Sequence, residues 1–254
     1  PMVDLLVREI ASGDRADPLF PYHRCFDPYA GHSWASGHAR FGDGNNQESS
    51  SESINAWYGL LLLADATGDV RLRDRAAWLL ATEVAAIEDY WFDVRGDLFP
   101  ATYPVEVVTM IWGGKGANAT WFDANPQSLH GINFLPLTPG SLYLGQHPEY
   151  ARRNHEGLVK SLAAFRAKQG KGAAPDAPFN HWADILWMQQ ATFDAAGARR
   201  AWDARPANFK PEAGNSLSFT EAWIAYFEQR GPLRAGKSGA GLWQADHARG
   251  AGGK

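Results

Sequence analysis

Between Ile54 and Leu62 the apolar residues Ile54, Trp57, Tyr58, Leu61 and Leu62 keep the i, i+3, i+4, i+7, i+8 rhythm of a helix with one buried stripe. The spacing predicts a helix that runs to about Thr67, where Gly68 and Asp69 break the pattern. A second helix follows from about Val70 to Phe92, with Leu72, Ala76, Leu79, Leu80 and Val84 on its inner side. So short a break makes the two an antiparallel hairpin. Arg71, Arg73, Asp74 and Arg75 then form a solvated face. The same period governs the opening residues, with Val3, Leu6, Val7 and Ile10 on one side, a helix already under way and so the expected mark of a fragment. It returns over Glu149 to Lys168, Trp182 to Ala195 and Phe219 to Gln229.

Elsewhere the pattern lapses. Residues 12 to 46 hold Asp, Gly, Pro, His and aromatics without a period and read as a long ordered loop, a kind of segment that usually carries function. Residues 93 to 148 are rich in Gly, Pro and aromatics; Val105 to Trp112 fits a short strand or a helical turn. Gly113-Gly114-Lys115-Gly116 lacks the spacing and trailing hydroxyl of a phosphate loop, so it is expected to turn beside a cleft. Gly170 to Pro178 is a connector, and residues 231–254 are expected to be a flexible Gly/Ala-rich tail. The result is an all-α fold of paired helices with broad polar loops at one end.

Composition narrows the ligand. A formal charge of −4 and a pI near 6.1 argue against nucleic acid or an anionic membrane and favour a neutral partner. Eleven Trp, eight Tyr and thirteen Phe are many for 254 residues, and flat aromatic faces suit the apolar faces of sugar rings. Cys25 is alone, so no internal disulfide forms; His23, Cys25 and His32 lack a recognised zinc spacing, and neither metal nor cofactor is expected. No apolar run approaches the roughly 20 residues needed to span a bilayer, and the first residues lack the regions of a signal peptide.

The chemistry-bearing stretch is Asn45-Asn46-Gln47-Glu48-Ser49-Ser50-Ser51-Glu52-Ser53-Ile54-Asn55-Ala56-Trp57-Tyr58. On a helix, Glu48, Glu52, Asn55 and Gly59 share one face beside the apolar stripe, and Asn45, Asn46 or a nearby Ser is expected to cap it. Three consecutive serines are unusual for a helix interior unless their hydroxyls have partners.

That stretch, preceded by Phe26-Asp27-Pro28-Tyr29-Ala30-Gly31-His32-Ser33-Trp34-Ala35-Ser36-Gly37, resembles the signature of glycoside hydrolase family 81, the inverting endo-β-1,3-glucanases. Ile111 to Lys115, Gly131 to Pro139 and Gly214-Asn215-Ser216 carry the resemblance through most of the chain. It implies that residues 1–230 are part of an (α/α)6 barrel, incomplete here because the sequence shows about six or seven helices against the twelve of six hairpins. It also implies a β-1,3-glucan substrate, action outside the cell, and a general base that is Glu48 or Glu52. Asp27, His32, Trp34 and Asn45, with Asn55, Trp112 and Trp121, would shape the glucan site. The general acid would be an Asp in a preceding His- and Tyr-rich segment that the chain lacks. Two other readings remain: a β-glucan-binding module without turnover, and a polysaccharide lyase on a similar toroid with Tyr58 or His32 as base, disfavoured by the lack of a basic cluster for uronates.

Overall fold

The structure, a computed structural model, describes residues 2–35, 41–103, 105–169, 182–212 and 214–232. The expected connector at Gly170 to Pro178 and nearly all of the expected tail lie outside the described residues. Eight α-helices and five short strands are found among those described: α1 Met2–Ala11, α2 Ser50–Thr67, α3 Val70–Tyr90, α4 Pro126–Gly131, α5 Pro148–Gln169, α6 Ala183–Ala191, α7 Ala195–Asp203 and α8 Leu217–Arg230. A 3-10 turn covers Pro139–Gly145. The chain is helix-rich, as its periodicity predicts.

The α2–α3 hairpin is the centre of the first half. Gly68 ends α2 in the left-handed region (φ 72°), which glycine enters without a Cβ penalty. Asp69 opens α3 by accepting the Leu72 N–H at 2.9 Å. Leu72, Ala76, Leu79, Leu80 and Val84 are all buried as expected, facing Ile54, Trp57, Leu60, Leu61 and Ala64 of α2. Two positions depart from the pattern. Leu62 is exposed (45%), because the buried stripe of α2 continues through Leu60, Leu61 and Ala64, leaving the position after Leu61 turned to solvent. In α1, Val7 and Ile10 pack against the core while Val3 and Leu6 are exposed.

The second half packs α4 to α8 around Trp182, Ile185, Met188, Trp202, Trp223 and Phe227. The helix expected over Trp182 to Ala195 is two helices. Asp194 accepts the Gly197 N–H at 2.9 Å and starts α7 afresh, while Thr192 closes α6 by donating to Gln189 O at 2.7 Å.

Two small antiparallel sheets interrupt the helices. β1 (Phe26–Asp27) pairs with β2 (His32–Ser33), Asp27 opposite His32. In the other, β4 (Met110–Trp112) lies between β3 (Asn46–Gln47) and β5 (Gly116–Ala117), with Asn46 opposite Trp112. The 12–46 stretch is therefore anchored by ladders at both strands, and Glu48 leaves β3 one residue past the register.

Candidate active site

An aromatic groove of about 630 Å³ runs over the β1–β2 ribbon, lined by Asp27, Tyr29, His32, Trp34, Tyr90, Phe99, Tyr103, Trp112 and Lys115, among others. Its floor is ordered by one carboxylate: Asp27 accepts the Tyr29 N–H at 2.9 Å, the Ala30 N–H at 3.3 Å and the Trp34 indole N–H at 3.1 Å. Burial pushes the Asp27 carboxyl up, yet these donors outweigh it and hold it below its ordinary value. His32 packs edge-on against Trp34 and Trp91, and its Nδ1 lies 2.9 Å from Ser33 O; burial lowers its pKa. The far wall depends on Asp93, which sits at φ 45° and accepts the N–H groups of Asp97, Leu98 and Phe99. Tyr103 is pushed up to about 12 by burial and donates to Val107 O, so it stays a neutral phenol. The glycine turn expected beside a cleft is there: Gly113 donates to Asn45 O at 2.8 Å, and Gly113, Lys115 and Gly116 line the groove.

The acidic start of α2 is linked to this groove through two tryptophans. Trp112 lines the groove and also packs on Trp121, ring centroids 5.4 Å apart, with Phe41 completing the trio at 5.6 and 5.4 Å. Trp121 in turn donates its backbone N–H to Glu48 Oε1 at 2.8 Å. Glu48 is half-buried, and its pKa is raised: burial is the main cause, the nearby Glu52 charge adds to it, and the Trp121 bond opposes both. Glu52, in the first turn of α2, is exposed.

Two expectations change here. Glu48 does not lie on the helix: α2 begins at Ser50, so Glu48 reaches the site from the β3 exit and Glu52 from the helix. The helix is not capped by Asn45, Asn46 or a local serine. Asn133, 83 residues away in sequence, accepts both the Ser50 N–H at 3.0 Å and the Ser50 hydroxyl at 2.8 Å, and donates to Thr109 O. The serines do have partners, since the Ser49 and Ser51 hydroxyls bond Ile132 O and Ser51 also reaches Leu135 O. A local pattern cannot foresee a cap supplied by a distant loop.

Not all named residues meet. Asp27, His32, Trp34 and Trp112 share the groove, and Trp121 and Glu48 adjoin it through Trp112. Asn55 is occupied by the fold: its amide donates to Ser51 O and Pro136 O and accepts the Thr138 hydroxyl at 2.7 Å. Asn45 contributes its backbone, while its side-chain oxygen is buried without a hydrogen-bond partner. His23 packs instead against Trp78 and Phe26, and Cys25 is a free thiol. Among the described residues no cluster of three His, Cys, Asp or Glu is arranged to hold a metal ion, and no helix is long and apolar enough to cross a membrane.

Sequence reading passed over Glu83. It is fully buried, with four donors on its carboxylate: the Ser33 N–H and hydroxyl, the Ser53 hydroxyl and the Trp57 indole N–H. A signal was present, because Glu83 occupies the i+4 and i+3 place after Leu79 and Leu80 on the apolar stripe of α3.

Residues 1–223 match the model of the glycosyl hydrolase family 81 C-terminal domain. The chain is 44% identical over 230 residues to a glucan endo-1,3-beta-D-glucosidase of Acetivibrio thermocellus, covering 91% of this chain and 28% of that protein. It is 42% identical to one from Thermobifida fusca, covering 92% and 29%. A solved structure of a mutant glycoside hydrolase family 81 protein from Clostridium thermocellum superposes with a TM-score of 0.79 at 43% identity, over 89% of this chain and 30% of that one. The chain thus spans less than a third of the length of these relatives.

Proposed function

The chain belongs to glycoside hydrolase family 81, and from that premise we propose that it carries the water-activating side of a site that hydrolyses internal β-1,3-glucosidic bonds with inversion. Residues 1–230 form part of an (α/α)6 barrel in this reading, and the substrate is a β-1,3-glucan met outside the cell.

The observation that carries it is the position of Glu48, half-buried beside the aromatic groove, with one carboxylate oxygen fixed by the N–H of Trp121, which packs on the groove residue Trp112. Inversion needs a carboxylate that removes a proton from water on one face of the sugar and a carboxylic acid that protonates the leaving oxygen on the other, roughly 6.5–9.5 Å away. Glu48 suits the base, because a raised pKa makes its carboxylate a better proton acceptor. Glu52, exposed in the first turn of α2, keeps Glu48 basic through its charge. Trp34, Trp112 and Trp121 offer faces for glucose rings.

The proton donor is assigned to the part of the family fold that the chain does not span. Asp27 is the only carboxylate among the described residues lining the groove, and three donated hydrogen bonds keep it ionised, the wrong state for a general acid. The same observation favours a second reading, a glucan-binding unit without turnover.

Release of reducing ends from a soluble β-1,3-glucan, measured beside Glu48→Gln and Glu52→Gln, separates the two. Turnover abolished by Glu48→Gln establishes the base. Saturable binding that is indifferent to Glu48→Gln, with no turnover by the unaltered chain, leaves the binding unit. Neither binding nor turnover removes both readings.

A further inference from the structure

Glu83 belongs to neither the groove lining nor the acidic pair, yet its four hydrogen bonds reach residues that adjoin each. Ser33 lies in β2 between the groove residues His32 and Trp34. Ser53 and Trp57 lie in α2. Ser53 also accepts the Gln47 side-chain N–H at 3.2 Å, and Gln47 is the strand residue from which Glu48 emerges. We propose that Glu83 is a positioning residue: its buried carboxylate fixes the β1–β2 floor of the groove against helix α2 and so sets where bound sugar stands relative to Glu48 and Glu52. The proposal rests on the glucan-site reading above.

The geometry explains why a carboxylate is needed. Oε1 accepts the Ser33 N–H at 3.0 Å and the Ser53 hydroxyl at 2.6 Å, whereas Oε2 accepts the Ser33 hydroxyl at 2.8 Å and the Trp57 indole N–H at 2.6 Å. Each oxygen takes one bond from the β1–β2 ribbon and one from α2. A glutamine has one acceptor oxygen, so whichever way the amide is turned its NH2 group faces one group that can only donate, the Ser33 N–H or the Trp57 indole N–H, while a serine hydroxyl can turn to accept from it. Glu83→Gln therefore loses one N–H bond of the tie, from the ribbon or from α2, while conserving size. Support for the tie comes from burial: Ser33, Trp57 and Glu83 are all buried, and unpaired donors in such an interior are costly.

The test compares Glu83→Gln with Asp184→Asn. Asp184 is an equally buried carboxylate that accepts the Glu212 N–H and the Asn215 amide in the second half of the chain, outside the groove. Three readouts are taken well below each Tm: the dissociation constant for a β-1,3-linked glucose hexaose, reducing-end release, and amide hydrogen exchange over residues 26–34 and 46–53. Glu83→Gln is expected to weaken hexaose binding or turnover by about tenfold or more and to raise exchange in both segments. Asp184→Asn, at a comparable loss of Tm, leaves binding and both segments unchanged. Equal effects of the two variants, or a lower Tm for Glu83→Gln with unaltered exchange and affinity, overturn the proposal. If Glu83→Gln does not fold, the pair Ser33→Ala and Ser53→Ala removes one donor from each element and is held to the same criteria. If the unaltered protein binds no glucan, the glucan reading fails and the exchange data alone decide the positioning role.

Discussion

The backbone N–H of Trp121 and the carboxylate of Glu48 meet at 2.8 Å across 73 residues of sequence. That bond sets one oxygen of Glu48. Burial and the charge of Glu52 raise the Glu48 pKa against this bond, so the acid limb of kcat/KM is expected above the ordinary glutamate value of about 4.3, with activity falling as pH drops and the base takes a proton. Glu52→Gln removes one raising influence and should move the Glu48 titration to lower pH. Carboxyl carbon-13 shifts of the labelled protein measure this without requiring turnover; an unmoved titration would show that the two acids do not sense each other.

The aromatic pair gives a separate prediction. Trp112 belongs to the groove and packs on Trp121, whose ring is 54% exposed. Trp112→Ala is expected to weaken glucan binding about tenfold, or about 1.4 kcal/mol. Titration calorimetry with soluble glucan checks it, and an unaltered affinity would move the sugar path away from this wall.

Asn133 carries the amino end of α2. Truncation by Asn133→Ala leaves the Ser50 N–H and hydroxyl and Thr109 O without their present partner in a fully buried place. A loss of about 2–4 kcal/mol is expected from the missing cap and the orphaned groups. Urea midpoints measure it; a loss below about 1 kcal/mol would mean that water replaces the amide.

Histidines shape the acid side of stability. Burial lowers the pKa of His23, His32, His130 and His155. Their folded values lie below the unfolded value of about 6.5, so the unfolded chain binds more protons as pH falls through that point, and stability present above it is lost toward the folded pKa values. Tm is expected to drop between about pH 7 and pH 5. His130, whose Nδ1 lies 2.7 Å from Asn154 Oδ1 in the interior, is the clearest single case, and His130→Gln should flatten the slope.

What could be read from sequence was what neighbours in sequence decide. The α2–α3 hairpin, its break at Gly68 and Asp69, and the inner stripe of α3 follow from local spacing and were legible. Asp194 was a local helix start as well, but the apolar run from Trp182 masked it. The placing of Glu48 was not legible, because the start of α2 is fixed by Asn133 and not by the residues around it. Asn55 looked like a site residue on a helical wheel, yet Pro136 and Thr138 claim its amide from a loop 81 and 83 residues on. Glu83 had a sequence signal in its place on the stripe; its partners in β2 had none.

The same dependence on distant residues orders the birth of the molecule. Helix α2 can wind against α3 as soon as residues up to Tyr90 exist, since that pairing is local. Its amino end waits for Ile132, Asn133 and Leu135 to arrive with their acceptors. On the ribosome, therefore, the residues of the hairpin precede the partners of its own acidic end by more than forty residues of synthesis.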